Sequence, residues 1–289
     1  MTGGIEVIQP GIFSTIQDTG RFGFMKFGVP RSGPMDSYAA KLGNLLLQNS
    51  QNDAVLEITL SGPHLKFSKP AVIVITGADL FSTVNGIRVE NNKIIQISPG
   101  DVLSFGKRVK GCRCYLSIKG GFLTEEILDS KSWYDGITPF FRLEKGYKLK
   151  YIEAEIDISS HGSQLKINKD YFDSPQIDVF PGPEYYLLPD DLQKTLANTK
   201  FTVDNKNNRM AIQLKEMLAN SLQPIITGPV VPGTVQLTPS GKLIILMRDC
   251  QTTGGYPRIM SLTENGINRL SQKIEGEKVR FKIKPDIPD

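Results

Sequence analysis

The chain has 289 residues, 39% of them apolar, which is enough to fill one large core or two ordinary ones and excludes disorder as the default. Thirty-four lysines and arginines against thirty acids leave a net charge of +4, spread along the chain without the basic tail or stripe that binds nucleic acid. The N-terminus lacks the basic start and apolar core of a signal peptide, and no apolar run approaches the roughly 20 residues that cross a bilayer, so a cytoplasmic protein with no membrane contact is expected.

Short runs rich in Val, Ile and Phe, broken by Gly, Pro, Asn and Asp, predict a mainly β fold. Strands are expected at 5–8, 55–60, 71–76, 94–97, 102–105, 113–118, 177–180, 234–237, 243–247 and 279–283. Two of them, AVIVIT at 71–76 and LIILM at 243–247, are apolar along their length, as strands covered on both faces must be. Helices are few. The first follows GPMD, with Asp36 as its cap and Ala39, Leu42, Leu45 and Leu46 as its apolar stripe, and ends near Asn49. A second is expected from Asp190 or Asp191, with Leu192 and Leu196 inward, and a third carries Ile267, Leu270 and Ile274. Each fully apolar strand runs into an acid, Asp79 in the first half and Asp249 in the second, and SPGDVLSFG at 98–106 is echoed by EGEKVRFKI at 275–283. Two related β domains follow, 1–152 and 176–289, joined by a polar linker at 153–175.

The three cysteines, Cys112, Cys114 and Cys250, are too few and too odd for a disulfide framework. Cys112 and Cys114 read as small buried hydrophobes in a strand, and with only His64 and His161 to join them no metal site is expected.

Two segments can carry chemistry. MRDCQTTGGYP, 247–257, follows a fully apolar strand, so its groups are presented from a rigid support. Gly254 and Gly255 can offer backbone N–H groups, Gln251, Thr252, Thr253 and Tyr256 add neutral donors and acceptors, and Asp249 supplies a carboxylate, a set able to polarise an amide. The same residues also fit a tight turn that needs two glycines and satisfies itself. The second segment, 14–37, is a long loop rich in Gly and Pro that carries Asp18, Arg21, Lys26, Arg31 and Asp36, with Asp18 and Arg21 spaced to pair across a turn. Opening or carboxylating an amide needs oxyanion donors, a carboxylate and a cation, so the two loops are expected to meet, placing Asp18 and Arg21 with the 247–257 residues and Asp79 among the substrate contacts. There is no GxxxxGK[ST], no GxGxxG after a strand, no GxSxG and no lysine-centred biotin segment, so the isolated chain is expected to be inactive.

The segments GIFSTIQDTGRFGFMKFGVPRSGPMDSYAAKLGNLLLQN, LEITLSGPHLKF, ITGADL, PGDVLSFG, GCRCYLSIKGG, PGPEYY, NRM, GPVVPGTVQLTPSGKLIILMRDCQTTGGYPRI and GEKVRF occur in this order. With them the chain resembles, over nearly its whole length, the family of the second allophanate hydrolase subunit, biotin-dependent carboxyltransferases and the C-type component of bacterial 5-oxoprolinase. The resemblance implies two cyclophilin-like β-barrel domains. It also implies B-type and A-type partners, which with this chain open 5-oxoproline to glutamate at the expense of ATP. Relatives fused in urea carboxylase move carboxylate from biotin to urea, and others bind a partner that inhibits a sporulation kinase.

The chain carries no biotin carboxylase or carrier region, which ranks the 5-oxoprolinase component first, a carboxyltransferase for urea or a related small amide second, and a noncatalytic partner of a kinase inhibitor third. The family's usual Gly-Ser-Arg-Ser-Thr reads Asp129, Ser130, Lys131, Ser132, Trp133 here, and its Ser-Asp-Arg-Met-Gly reads Asn207, Asn208, Arg209, Met210, Ala211. Arg209 is retained and joins Asp18, Arg21 and Asp249 as the expected catalytic set.

Overall fold

Strands form where the sequence is apolar in alternation or throughout, and every expected strand is present in the structure, a computed structural model that describes residues 1–155 and 171–285. His161 and most of the 153–175 stretch lie outside the described residues. The chain divides into two compact units, one of Met1–Arg21 with Ser32–Lys169 and the other of Phe22–Arg31 with Asp170–Asp289.

In the first unit the strands are β1 (Thr2–Gln9), β2 (Phe13–Gln17), β3 (Val55–Thr59), β4 (His64–Phe67), β5 (Ala71–Asp79) and β6 (Ser82–Val84). They continue as β7 (Ile87–Arg88), β8 (Ile94–Ile97), β9 (Val102–Phe105), β10 (Lys110–Ile118) and β11 (Lys148–Ile152). They form a six-stranded sheet in the order β11-β1-β4-β9-β6-β7 and a five-stranded sheet in the order β2-β3-β10-β5-β8. Ile5, Val7, Leu65, Phe67, Ile73, Ile75, Leu116 and Tyr151 belong to one buried cluster.

The run AVIVIT is buried at all six positions because β5 is covered twice. Ile73 and Ile75 face the main cluster, while Val72 and Val74 pack with Leu47 just past helix α1 (Ser37–Leu46). Burying a Val or Ile contributes about 1.5–3 kcal/mol, so this strand anchors the sheet. Asp36 caps α1 as expected, its Oδ1 accepting from the Ala39 N–H at 3.0 Å. The stripe is turned from the expected one: Ala39, Ala40, Leu42 and Gly43 are buried and Leu45 is 58% exposed. Gly43 explains the turn, since a Cβ there would collide with Ser117 on β10. The absence of a side chain, more than the presence of leucines, decides which face of α1 meets the sheet. Cys112 and Cys114 are both buried in β10.

The second unit closes a barrel of seven strands, in the order β12-β19-β16-β17-β14-β13-β20. Its strands are β12 (Gln176–Pro181), β13 (Phe201–Asn207), β14 (Ala211–Leu214), β15 (Gly228–Pro229) and β16 (Thr234–Leu237). The remainder are β17 (Leu243–Leu246), β18 (Thr253–Gly254), β19 (Arg258–Leu262) and β20 (Lys278–Ile283). The ring is antiparallel except where β12 runs parallel to β20 and completes it. Helix α2 (Asp190–Asn198) buries Leu196, and α3 (Glu264–Ser271) is capped by Thr263, which accepts from the Gly266 N–H at 3.0 Å. Ile267 and Leu270 are buried on α3, whereas Ile274 lies past its end. Among the described residues no helix is long and apolar enough to cross a membrane.

Candidate functional site

The segment after β17 is pinned before it is exposed. The Met247 and Asp249 N–H groups donate to the carbonyls of Met210 and Arg209 at 2.8 and 2.9 Å, so the chain still runs beside 209–210 when it leaves the barrel strand. The Arg209 guanidinium then returns to the same place, with Nε donating to Asp249 Oδ2 at 2.6 Å and Nη2 to Oδ1 at 3.0 Å. The side chains are 9% and 10% exposed, so this is a buried, bidentate pair. Asn208 prepares Arg209 for it, its Oδ1 accepting from the N–H groups of Met210 and Ala211 at 2.8 and 3.0 Å. An amide oxygen does this as a carboxylate would, so the departure at Asn208 leaves the turn that presents Arg209 intact.

Two further arginine–acid pairs flank the segment. Arg248 donates to both oxygens of Glu264 and contacts Asn268 Oδ1 at 3.4 Å. Arg258 donates from Nε and Nη2 to Glu184 at 3.0 and 2.8 Å, and its backbone N–H reaches the same carboxylate at 2.8 Å. Hydrogen bonds from Arg258 hold the Glu184 carboxyl below its ordinary value, and in return Glu184 raises the Arg258 guanidinium. Burial, followed by the charge of Asp249, pushes the Cys250 thiol up to about 12, so it does not serve as a nucleophile.

Between these anchors β18 pairs with β15, Gly254 opposite Gly228, while the Thr252 and Gly255 carbonyls accept from Val230 and Ile225 at 3.0 and 2.9 Å. Gly254 and Gly255 therefore sit in a short extended ladder, not at the apex of a tight turn, and neither has a positive φ. A side chain at Gly254 would displace the end of the Gln236 side chain. Along this ladder Gln251, Thr253 and Tyr256 are exposed and Thr252 is half-buried. Their side chains make no hydrogen bond among the described residues. A fixed backbone thus displays an amide, two hydroxyls and a phenol with their donors and acceptors uncommitted, an arrangement suited to a small polar ligand.

The first unit holds the other expected residues. Asp18 does not pair with Arg21. Its Oδ1 accepts from Gly20 N–H, Ser130 Oγ and Ser132 Oγ at 2.9, 2.6 and 2.7 Å, and its Oδ2 from Lys131 N–H at 2.6 Å. Local donors fill the carboxylate, while Arg21, 1% exposed, donates through Nη2 to the Ser132 carbonyl. Ser130 and Ser132 are the two residues of the altered 129–133 segment that match the family pattern, and both hold Asp18. Asp129 has φ 56, a conformation that suits the glycine usual there. Asp79 accepts from Arg88 Nη2 at 2.7 Å and from the Phe81 N–H at 2.9 Å, in a solvated pair. Sequence reasoning misses Glu57. Fully buried in β3, it accepts from Tyr115 Oη at 2.8 Å and Met35 N–H at 2.7 Å, and Tyr115 Oη accepts from Asp36 N–H at 2.8 Å, which sets the entry to α1. An acid inside the apolar strand VLEIT is its signal, as PGPEYY is for Glu184.

The family model described as carboxyltransferase domain, subdomain A and B, matches residues 27–283. The C subunit of 5-oxoprolinase from Haemophilus influenzae is 29% identical over 290 residues, which are 96% of this chain and 90% of that protein. Urea amidolyase of Lachancea kluyveri is 42% identical over 130 residues, 45% of this chain and 7% of that protein. The crystal structure of the K. lactis urea amidolyase superposes with a TM-score of 0.82 at 28% identity, over 96% of this chain and 18% of that one.

Proposed function

Because the chain belongs to the carboxyltransferase-domain family, subdomains A and B, we propose that it is the C-type component of a 5-oxoprolinase, opening 5-oxo-L-proline to L-glutamate with A-type and B-type partners and ATP. The supporting observation is the likeness to a 5-oxoprolinase C component along nearly the full length of both chains, whereas urea amidolyase matches within a small part of a much longer protein.

Lactam opening demands that the amide be oriented and its developing oxyanion met by donors already in place. In this reading Gln251, Thr252, Thr253 and Tyr256 bind the lactam, because they are the polar side chains the ladder leaves uncommitted. Asp249 and Arg209 are positioning residues that fix where the ladder begins. Asp18, Arg21 and Asp79 brace loops of the first unit. The sequence supplies no phosphate loop and no biotin-attachment lysine, so ATP is assigned to the partner proteins and no step here runs through it.

Co-expression with candidate A-type and B-type partners, followed by an assay of ATP-dependent glutamate release from 5-oxoproline, tests the reading. The complex is expected to turn over and the isolated chain to hydrolyse neither ATP nor 5-oxoproline; an inert complex refutes the assignment. The B-type partner is expected to co-elute with this chain at micromolar concentration, burying on the order of 1,200 Å² or more. A second reading, carboxyl transfer from biotin to urea or a related small amide, draws on the 42% identity of the urea amidolyase segment. Urea-dependent consumption of carboxybiotin by a complex inert toward 5-oxoproline would replace the first reading with it.

A further inference from the structure

Arg209, Arg248 and Arg258 each lay two guanidinium nitrogens on a carboxylate; Arg31 lays none. Its guanidinium carbon stands 4.1 Å from the ring centroid of Phe22, and among the described residues it makes no hydrogen bond and no ion pair. Arg31 is half-buried. That burial first, and the charge of Arg248 second, work against its protonated form, with Glu264 pulling the other way. Glu264 is itself spanned by Arg248. The stretch that brings Arg31 to the second unit, FGFMKFGVPR, adds Lys26 and no acid, and leaves Phe22 58% exposed.

A cation half out of water and without a hydrogen-bonded counter-ion is unfavourable unless an anion joins it. The Phe22 ring packs against the guanidinium at 4.1 Å while its N–H groups, which make no hydrogen bond among the described residues, can meet two oxygens at once, the geometry that suits a carboxylate. We propose that Arg31, laid on Phe22, binds the carboxylate of a small-molecule ligand. The identity of the ligand, though not the existence of the subsite, rests on the lactam reading above. There it is the carboxylate of 5-oxo-L-proline, whose ring amide is left for the residues that follow Arg248 and Asp249. Arg31 is then the residue that separates 5-oxoproline from lactams bearing no acid.

In the assembled complex, Arg31→Gln is expected to raise the KM for 5-oxoproline roughly 10- to 100-fold, the scale of a lost charge-assisted contact, with the change falling on KM and not on kcat. Arg31→Lys recovers part of the loss. The inhibition constant of 2-pyrrolidinone, the same ring without the carboxylate, is expected to stay put. An unchanged KM, or an equal loss for both rings, overturns the proposal. In the isolated chain, millimolar sulfate as an oxyanion probe is expected to raise the melting temperature of the wild type and not of Arg31→Gln, whose own melting without sulfate reports an intact fold. If both proteins respond alike, or neither does, Arg31 is no anion site. This measurement stands whether or not the complex opens a lactam, so failure of the subsite is told apart from failure of the enzymatic reading. Loss of co-elution with the B-type partner, with no sulfate effect, makes Arg31 a partner contact and overturns the proposal as well.

Discussion

Asp79 and Asp249 occupy matching places, each an acid at or just past the end of an apolar strand, one per unit, yet the structure uses them differently. Asp79 meets Arg88 across a pair 31% and 41% exposed, where water screens the attraction and the gain is below about 1 kcal/mol. Asp249 meets Arg209 in a bidentate pair some nine-tenths buried, where losing one partner strands the other's charge. Position along a strand tells where an acid will be; only the partner's burial tells what it does.

Neutralising each acid in turn puts this contrast under the greatest load. Asp249→Asn is expected to cost about 3–5 kcal/mol, seen as an earlier unfolding transition, and Asp79→Asn less than about 1 kcal/mol. The double variant Asp249→Asn with Arg209→Met should recover part of the loss, since no orphan charge remains; equal effects of the two single variants would show the pairs to be alike.

A smaller effect separates bracing from binding. Thr252→Ala or Gln251→Ala should lower the activity of the complex roughly 10-fold at unchanged melting temperature, because these side chains hold nothing in the fold. A loss of stability without loss of activity would put them among the braces.

The third test uses acid. Hydrogen bonds from Arg258 depress the Glu184 carboxyl, so its contribution is present above the unfolded-state glutamate value and lost as pH falls through the lower folded value. Melting curves of wild type and Glu184→Gln should differ at neutral pH and converge in strong acid, whereas a gap that persists there assigns Glu184 to packing. The smallest expected effect is no effect: with its thiol pushed up to about 12 in a buried site, Cys250 should resist iodoacetamide at pH 8 until the protein unfolds.

The strands are legible in the sequence because burial demands apolar runs, continuous in AVIVIT, which is buried at all six positions, and nearly so in LIILM, where Ile244 alone is half-buried. The face of α1 is not, since a stripe of leucines looks the same whether or not Gly43 lets the helix settle against Ser117. Pairings fare alike. Arg209 and Asp249 stand forty residues apart, Asp18 and Ser132 more than a hundred, and no local spacing joins them. Asp18 and Arg21 look like a pair because they are close in sequence, but the serines of 130 and 132 offer donors without the cost of holding two long charged chains together. The 251–256 ladder is visible as chemistry and not as geometry, because Gly254 meets the amide of Gln236 and pairs with β15, neither of which is near in sequence.

That Phe22–Arg31 belongs with Asp170–Asp289 also sets a timetable for the ribosome. A chain emerging at about 5–20 residues per second exposes Phe22 and Phe27 roughly 7–30 seconds before residue 170 has been made. Until then these two rings, 58% and 70% exposed even in the finished protein, have no unit of their own to join. Chaperones that hold nascent chains, or a partner protein engaging during synthesis, would matter most for this stretch.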